Sequence, residues 1–284
     1  MKTAGELWRV LRRHPQNLIG LGILLLYLFM AVVGPLLYPS LLPQNPSQIY
    51  LPPSLAHPLG TDYAGRDVLA LVVTGTRPIL EVAVMAAIFV VGLGGTIGLL
   101  AGFSGGWLDT VLMRITDLFL TVPSLPLLIL IASIAVLTNP LLIAALLSVT
   151  AWGGLARAIR SQVLSYRERE YVEAARSLNL GTYHIIVREI TPNLMPYIIM
   201  NLMLSVTGAI YAEVGLFYLG VLPFKSDNWG VMLNLAYTQG GAMYSARSLL
   251  YLISRMAAIL ILQLGIVMIL RFLEEIFNPR LRVS

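Results

Sequence analysis

Long apolar stretches separated by short polar ones run along almost the whole 284-residue chain. A helix needs about 20 predominantly apolar residues to cross a hydrocarbon layer about 30 Å thick. Six stretches meet that length: residues 18–37, 79–101, 115–137, 140–158, 197–222 and 249–272. The first is longer than the apolar core of a signal peptide and no small-residue cleavage site follows it, so it reads as an uncleaved anchor. The third contains "TVPSLP", residues 121–126, and two prolines there interrupt the helix inside the span. Broken helices are tolerated at membrane depth where freed carbonyls face protein or a water-lined cavity, which makes Ser124 a candidate for lining a transport path. In the second span "GLGGTIG", residues 92–98, allows close helix packing. The pattern predicts an all-α integral membrane protein with six transmembrane helices.

Composition agrees. Hydrophobic residues make up 57% of the chain and charged ones only 12%, about half the usual share in a soluble domain. Cysteine is absent, which excludes disulfides and thiolate chemistry. His14, His57 and His184 are scattered, so no histidine metal cluster is expected. The placement of the net charge of +5 is informative. Lys2, Arg9, Arg12 and Arg13 precede the first span, and Arg114 separates the second and third. Arg160, Arg167, Arg169, Arg176 and Arg188 follow the fourth, and Arg280 and Arg282 follow the sixth. The alternate segments hold only Arg66, Arg77, Lys225 and Arg247. Positive residues favour the cytoplasmic side, so both termini and the polar insert after the fourth span are expected there.

The chain therefore divides into a cytoplasmic segment 1–17, a first transmembrane helix 18–37, an extracytoplasmic segment 38–78 and a five-helix core 79–284. In the first segment Leu7, Trp8 and Leu11 can lie against lipid. The outer segment, ending in "HPLGTDYAGRDVLA", reads as a surface cap held by hydrogen bonds from Asp and Thr to backbone.

The insert, residues 168–192, is the exception to the apolar pattern. Good helix formers run over 168–178, with Tyr171, Ala174, Ala175 and Leu178 at helical spacing on one shallow apolar face. Glu173 can pair with Arg169 and Arg176. Asn179-Leu180-Gly181 offers residues that accept positive φ and end the helix. Thr182 can cap a second helix over 183–190, closed by Thr191-Pro192. This elbow is too small to bury a core of its own. Its interleaved Glu168, Glu170 and Glu173 fit a groove in a soluble partner better than an anionic lipid surface.

Two charges stand inside spans. Glu213 and Arg255 fall at similar depth, and each costs about 3 kcal/mol in hydrocarbon on insertion scales, so they are expected to pair with each other or, for Glu213, to bond at a subunit interface. Asn201, Ser205 and Thr207 cluster on one side of the fifth span and are further path candidates. No Gly-Lys pair exists, so the phosphate-binding loop of an ATPase is absent. "FSGGW", residues 103–107, resembles an ATPase signature but lies between two spans and reads as a tight turn. No catalytic set and no nucleic-acid partner is expected.

The insert resembles the "EAA" loop of ATP-binding-cassette importer permeases. Glu173-Ala174-Ala175 matches, Asn179 stands at the family's glycine, and Pro192 falls at the final proline, with Glu189 and Thr191 replacing Ile and Leu. "HPLGTDYAGRDVLA", "GGWLDTVLMRITDLFLTVPSL", "SYREREYVEAARSL", "TPNLMPYII", "AIYAEVGLFYLG" and "FNPRLR" resemble, in order, the second permease of the oligopeptide/dipeptide/nickel type. Residues 224–263 depart most from that pattern. The resemblance implies a MetI-like type I ABC importer permease core in the cell inner membrane. It implies a homologous permease subunit, two ABC ATPase subunits that carry ATP and Mg, and an extracytoplasmic solute-binding protein. ATPase coupling would rest on Tyr171, Glu173, Ala174, Ala175, Leu178, Asn179 and Gly181, with no cofactor in this chain and membrane lipid around it. Short peptides are the expected solutes, with oligosaccharides or a nickel chelate as alternatives. An autonomous secondary transporter or channel is the competing class; it would show internal repeats and midplane ionisable groups, and no repeat is visible.

Overall fold

A computed structural model describes residues 11–12, 14–38, 42–135, 137, 139–223, 228–239 and 246–277, with backbone only at 246–248. Among these residues the regular structure is helical: α1 (Pro15–Leu37), α2 (Val68–Ser104), α3 (Gly106–Thr121), α4 (Ser124–Ile134), α5 (Pro140–Tyr166), α6 (Glu170–Ser177), α7 (Thr182–Tyr218), α8 (Trp229–Thr238) and α9 (Ala246–Phe277), besides a 3-10 turn at Pro46–Gln48. Helices α1, α2, α5, α7 and α9 are each long and apolar enough to cross a membrane. Helices α3 and α4 qualify only together and are bent by 86°. The expected third span is thus two helices: Val122 turns extended at ψ 126° ahead of Pro123, which the proline ring enforces. Six spans result if that pair counts as one.

Two other boundaries differ from expectation. Helix α2 starts at Val68 rather than 79, because Asp67 Oδ1 accepts the Ala70 N–H at 2.8 Å and supplies the cap. Helix α7 continues through Thr191-Pro192 to Tyr218, so the elbow's second arm and the fifth span are one helix. A π-helical turn over Ile185–Ile190 absorbs the proline. There the Thr191 N–H and hydroxyl both donate to the Ile186 carbonyl, the hydroxyl at 2.8 Å, and the wider turn relieves the clash that a proline makes in an α-helix.

The chain forms two compact units, residues 1–82 with 210–284 and residues 83–209. In the first, α1 lies antiparallel on α9: His14 stands 3.8 Å from Glu275, and Tyr27 donates to the Ala258 carbonyl at 2.6 Å. The approach is close enough that a Cβ on Gly20 would stand 2.5 Å from Met268 Cβ. Trp229, fully buried, donates to the Val72 carbonyl at 3.1 Å and meets the Tyr27 ring edge-on.

The loop before α2 is the hydrogen-bonded cap that its Asp and Thr residues predict. Buried Asp62 accepts the Ala64 and Arg66 N–H groups at 2.9 and 2.8 Å and the Arg66 side chain at 2.7 Å. Thr61 bonds the Gln48 carbonyl and the Leu51 N–H, and Asp67 holds His57 at 2.8 Å. Burial works against the Arg66 charge, but the Asp62 carboxylate outweighs it and holds the guanidinium above its ordinary value.

In the second unit α2 packs on α5 along Gly94, Gly98 and Gly102. A Cβ at these positions would meet the Trp152 carbonyl at 2.7 Å, the Ala156 carbonyl at 2.5 Å and Val163 Cβ at 2.8 Å. Helix α3 packs on α5 through Phe119 and Trp152, ring centroids 5.2 Å apart, and through ion pairs at Asp109–Arg160 and Asp117–Arg157. The "FSGGW" stretch is the turn expected of it, with Gly105 at φ 64° and Gly106 at φ 59°, conformations that glycine adopts without strain.

Candidate functional site: the elbow

Helix α6 has two faces that the sequence reading merged into one. Val172 and Ala175, three residues apart, are buried in an apolar cluster with Ile159 and Val163 of α5 and Ile185 and Ile190 of α7. Tyr171, Ala174 and Leu178 form an adjoining strip and are exposed, Leu178 by 74%. Ala175 therefore belongs to the elbow's own core, a correction to its placement on a docking face. Val172 is a residue the reading missed; its spacing from Ala175 carried the signal. Tyr183, 80% exposed at the start of α7, was also missed and adds a second unburied ring.

The charged residues behave differently from expectation. Glu173 makes no ion pair with Arg169, which is the extended N-cap of α6, or with Arg176, which lies over the Phe103 ring at 5.5 Å instead. Arg167 pairs with Glu168 at 3.0 Å and donates to the Gly102 carbonyl at 3.3 Å. Asn193 donates to the Tyr171 hydroxyl at 3.4 Å and to the Glu189 carbonyl at 2.7 Å, which fixes the tyrosine against α7. Partial burial raises the Tyr171 hydroxyl above its ordinary value, so it stays protonated.

The hinge of the elbow is Asn179, at φ 55°. The Leu180 N–H bonds the Ala175 carbonyl at 3.1 Å and the Asn179 N–H bonds the Arg176 carbonyl at 2.8 Å. This is the paired 6→1 and 5→2 closure of a Schellman end, and Leu180 folds onto the buried cluster. Gly181 sits at φ −60° and is the N-cap of α7, so it supplies no positive φ, and Thr182 is the first helical residue rather than the cap.

The path candidates are spread rather than assembled. Ser124 is exposed at the start of α4, directly after the bend. Asn201 donates to the Tyr197 carbonyl of its own helix at 2.9 Å. Ser205 is half-buried, and Thr207 Oγ1 is buried without a partner. Glu213 and Arg255 are fully buried and do not pair, contrary to one expectation. Glu213 Oε1 accepts the Asn228 amide at 2.9 Å, while Oε2 has no partner. Arg255 stacks 3.9 Å over the Tyr251 ring and donates to the Tyr251 carbonyl and the Ser254 hydroxyl, leaving Nε and Nη2 unbonded.

A short helix seated by one face and bare along the other is suited to docking rather than to catalysis. Comparison with known proteins fits that geometry. Residues 94–283 match the family model of the binding-protein-dependent transport system inner membrane component. Residues 4–53 match the N-terminal TM domain of oligopeptide transport permease C. The chain is 40% identical over 235 residues to the dipeptide transport system permease protein DppC of Bacillus subtilis, covering 81% of this chain and 72% of the relative. It is 34% identical over 241 residues to the oligopeptide transport system permease protein OppC of the same species, covering 81% and 77%. The OppC protein of Mycobacterium bovis is 34% identical over 219 residues, covering 74% of each chain.

Proposed function

The chain belongs to the family of binding-protein-dependent transport system inner membrane components, the membrane subunits of ABC importers, and on that premise we propose how it is driven and what it carries. It is a multi-pass inner membrane protein and a transport permease subunit. In our reading the elbow and both termini face the cytoplasm, on the positive-inside argument. An ATPase subunit receives the strip Tyr171, Ala174 and Leu178 in a groove, with Glu173, Asn179 and Gly181 at its border. Ala175 supports the strip from beneath. ATP and Mg bind on the two ATPase subunits, and this chain does no chemistry of its own. A homologous permease subunit completes the path and an extracytoplasmic binding protein delivers the solute. Short peptides are the proposed solute class, because the relatives are named for dipeptides and oligopeptides.

One observation carries the docking assignment: Tyr171, Ala174 and Leu178 are exposed on a helix whose other side is locked into the protein. A buried anchor makes the helix a rigid lever, so closure of the ATPases on ATP displaces it as a unit and switches the path. The test is cross-linking from Ala174→Cys in the assembled complex, together with peptide uptake in proteoliposomes. The reading expects capture of the ATPase and uptake that requires it. Uptake by the chain without an ATPase would move the protein to the class of autonomous transporters.

A further inference from the structure

The glycine turn between α2 and α3 has no part in the reading above, yet three contacts of residues 102–109 converge on the elbow's support. Arg176, on the docking helix α6, lies over the Phe103 ring at 5.5 Å. Arg167, in the link between α5 and α6, donates to the Gly102 carbonyl at 3.3 Å. Asp109, in the first turn of α3, takes the Arg160 guanidinium of α5 on both oxygens, Nη2 to Oδ2 at 2.6 Å. Asp109 is 15% exposed and Arg160 30%. A two-point arginine–carboxylate pair sheltered to that degree fixes orientation as well as distance.

The same helices are locked further along. Gly94, Gly98 and Gly102 leave no room between α2 and α5 for even a methyl group. Phe119 on Trp152, and Leu120 and Thr116 against Gly153, hold α3 to α5 up to the helix end at Thr121. The chain turns by 86° after Thr121, Ser124 follows immediately, and α4 packs on α5 beyond the bend, with Leu128 and Ala132 buried.

We propose that Phe103 and Asp109 are positioning residues of the coupling machinery: they make α6, α5 and α3 move as one body, so that displacement of the elbow is delivered to the bend at Val122-Pro123. The inference rests on the elbow being the ATPase docking site. A loose contact at the turn would let α6 move while α3 stays, and hydrolysis would then proceed without moving solute. Coupling through a packed block requires that each joint have one arrangement, which the bidentate pair and the stacked arginine supply.

The experiment measures solute uptake and ATP hydrolysis together in proteoliposomes of the whole importer, using a peptide the complex carries. The variants are Asp109→Asn, Phe103→Ala and the charge exchange Asp109→Arg with Arg160→Asp. The expected result is a drop of about tenfold in peptide moved per ATP hydrolysed for each single variant. Hydrolysis per folded complex should stay near wild type, and the charge exchange should restore the ratio. Asp109→Asn should lower the melting temperature only modestly, because Arg160 keeps solvent contact. An unchanged ratio in both single variants overturns the proposal. So does a loss that follows only the amount of folded complex, with no recovery in the charge exchange. Cross-linking from Ala174→Cys runs alongside. Failure to capture the ATPase in otherwise wild-type protein defeats the docking reading itself, whereas capture with an unchanged ratio defeats only this inference.

Discussion

Asn228 and Glu213 are joined by a 2.9 Å hydrogen bond, and the same asparagine caps α8 by accepting the Gly230 N–H at 2.8 Å. One side chain thus ties the end of α7 to the start of α8, where Gly230 packs so closely on Val214 and Phe217 that a Cβ would stand 2.6 Å from both. Glu213 is fully buried, and its second oxygen is unbonded. Glu213→Gln keeps an acceptor for Asn228 and removes no packing, so it is expected to assemble and transport like wild type. Asn228→Ala leaves both the carboxyl and the helix end unpartnered. It is expected to cost about 1–3 kcal/mol, read as a lower melting temperature of the purified complex. A Glu213→Gln variant that folds but does not transport would instead assign the carboxyl to proton or solute handling.

Arg255 and Arg66 give opposite expectations from the same side chain. Arg66 is matched: Asp62 holds its Nε and Nη2 edge at 2.8 and 2.7 Å. Arg255 leaves that edge vacant although it is fully buried. A buried charge without a direct ion-pair partner destabilises, whereas removing one member of a matched pair strands the other. Arg255→Met is therefore expected to leave the melting temperature unchanged or higher. Arg66→Met is expected to destabilise by about 3–5 kcal/mol. Equal losses in the two variants would show that Arg255 has a counter-charge in the assembled importer.

The glycines of the second span separate into those that matter and those that do not. A Cβ at Gly98 would lie 2.5 Å from the Ala156 carbonyl, backbone that cannot give way, while at Gly92 nothing lies within 4 Å. Gly98→Ala is expected to cost about 1–3 kcal/mol by forcing α2 and α5 apart. Gly92→Ala should be neutral or slightly stabilising. Thermal unfolding of the two variants in detergent checks the contrast. Similar melting temperatures would refute the close α2–α5 packing.

These residues also show what a linear reading can reach. Apolar run length gives five of the spans because the bilayer imposes it directly, and "GLGGTIG" marks close packing because only small residues permit it. Helix continuity is another matter. The prolines of "TVPSLP" do break the third span, yet Thr191-Pro192 breaks nothing, because a π turn and the Thr191 hydroxyl accommodate the proline. The elbow's position and its helical character were legible. Which side of α6 faces inward was not: Val172 and Ala174 look equally apolar until α5 and α7 supply a cluster that takes one and leaves the other. Partners of charged residues were the least legible. Arg176 prefers the Phe103 ring, far earlier in the chain, to a glutamate one turn away.

The sharpest expectation concerns which residue closes the elbow. The sequence offers both Asn179 and Gly181 as residues that accept positive φ, but the Gly181 φ of −60° is open to any residue and a Cβ there would meet nothing within 4 Å. Asn179 carries the left-handed conformation at φ 55°. A β-branched residue there is strained by about 1–2 kcal/mol, while glycine is not. Asn179→Gly and Gly181→Ala are both expected to preserve the Leu180 N–H bond to the Ala175 carbonyl, and with it uptake. Asn179→Val should loosen that end, with faster hydrogen exchange at Leu180 and fewer peptides moved per ATP, while the membrane helices keep their protection. If Gly181→Ala impaired uptake and Asn179→Val did not, the turn would owe its shape to contacts made by the ATPase rather than to the backbone of this chain.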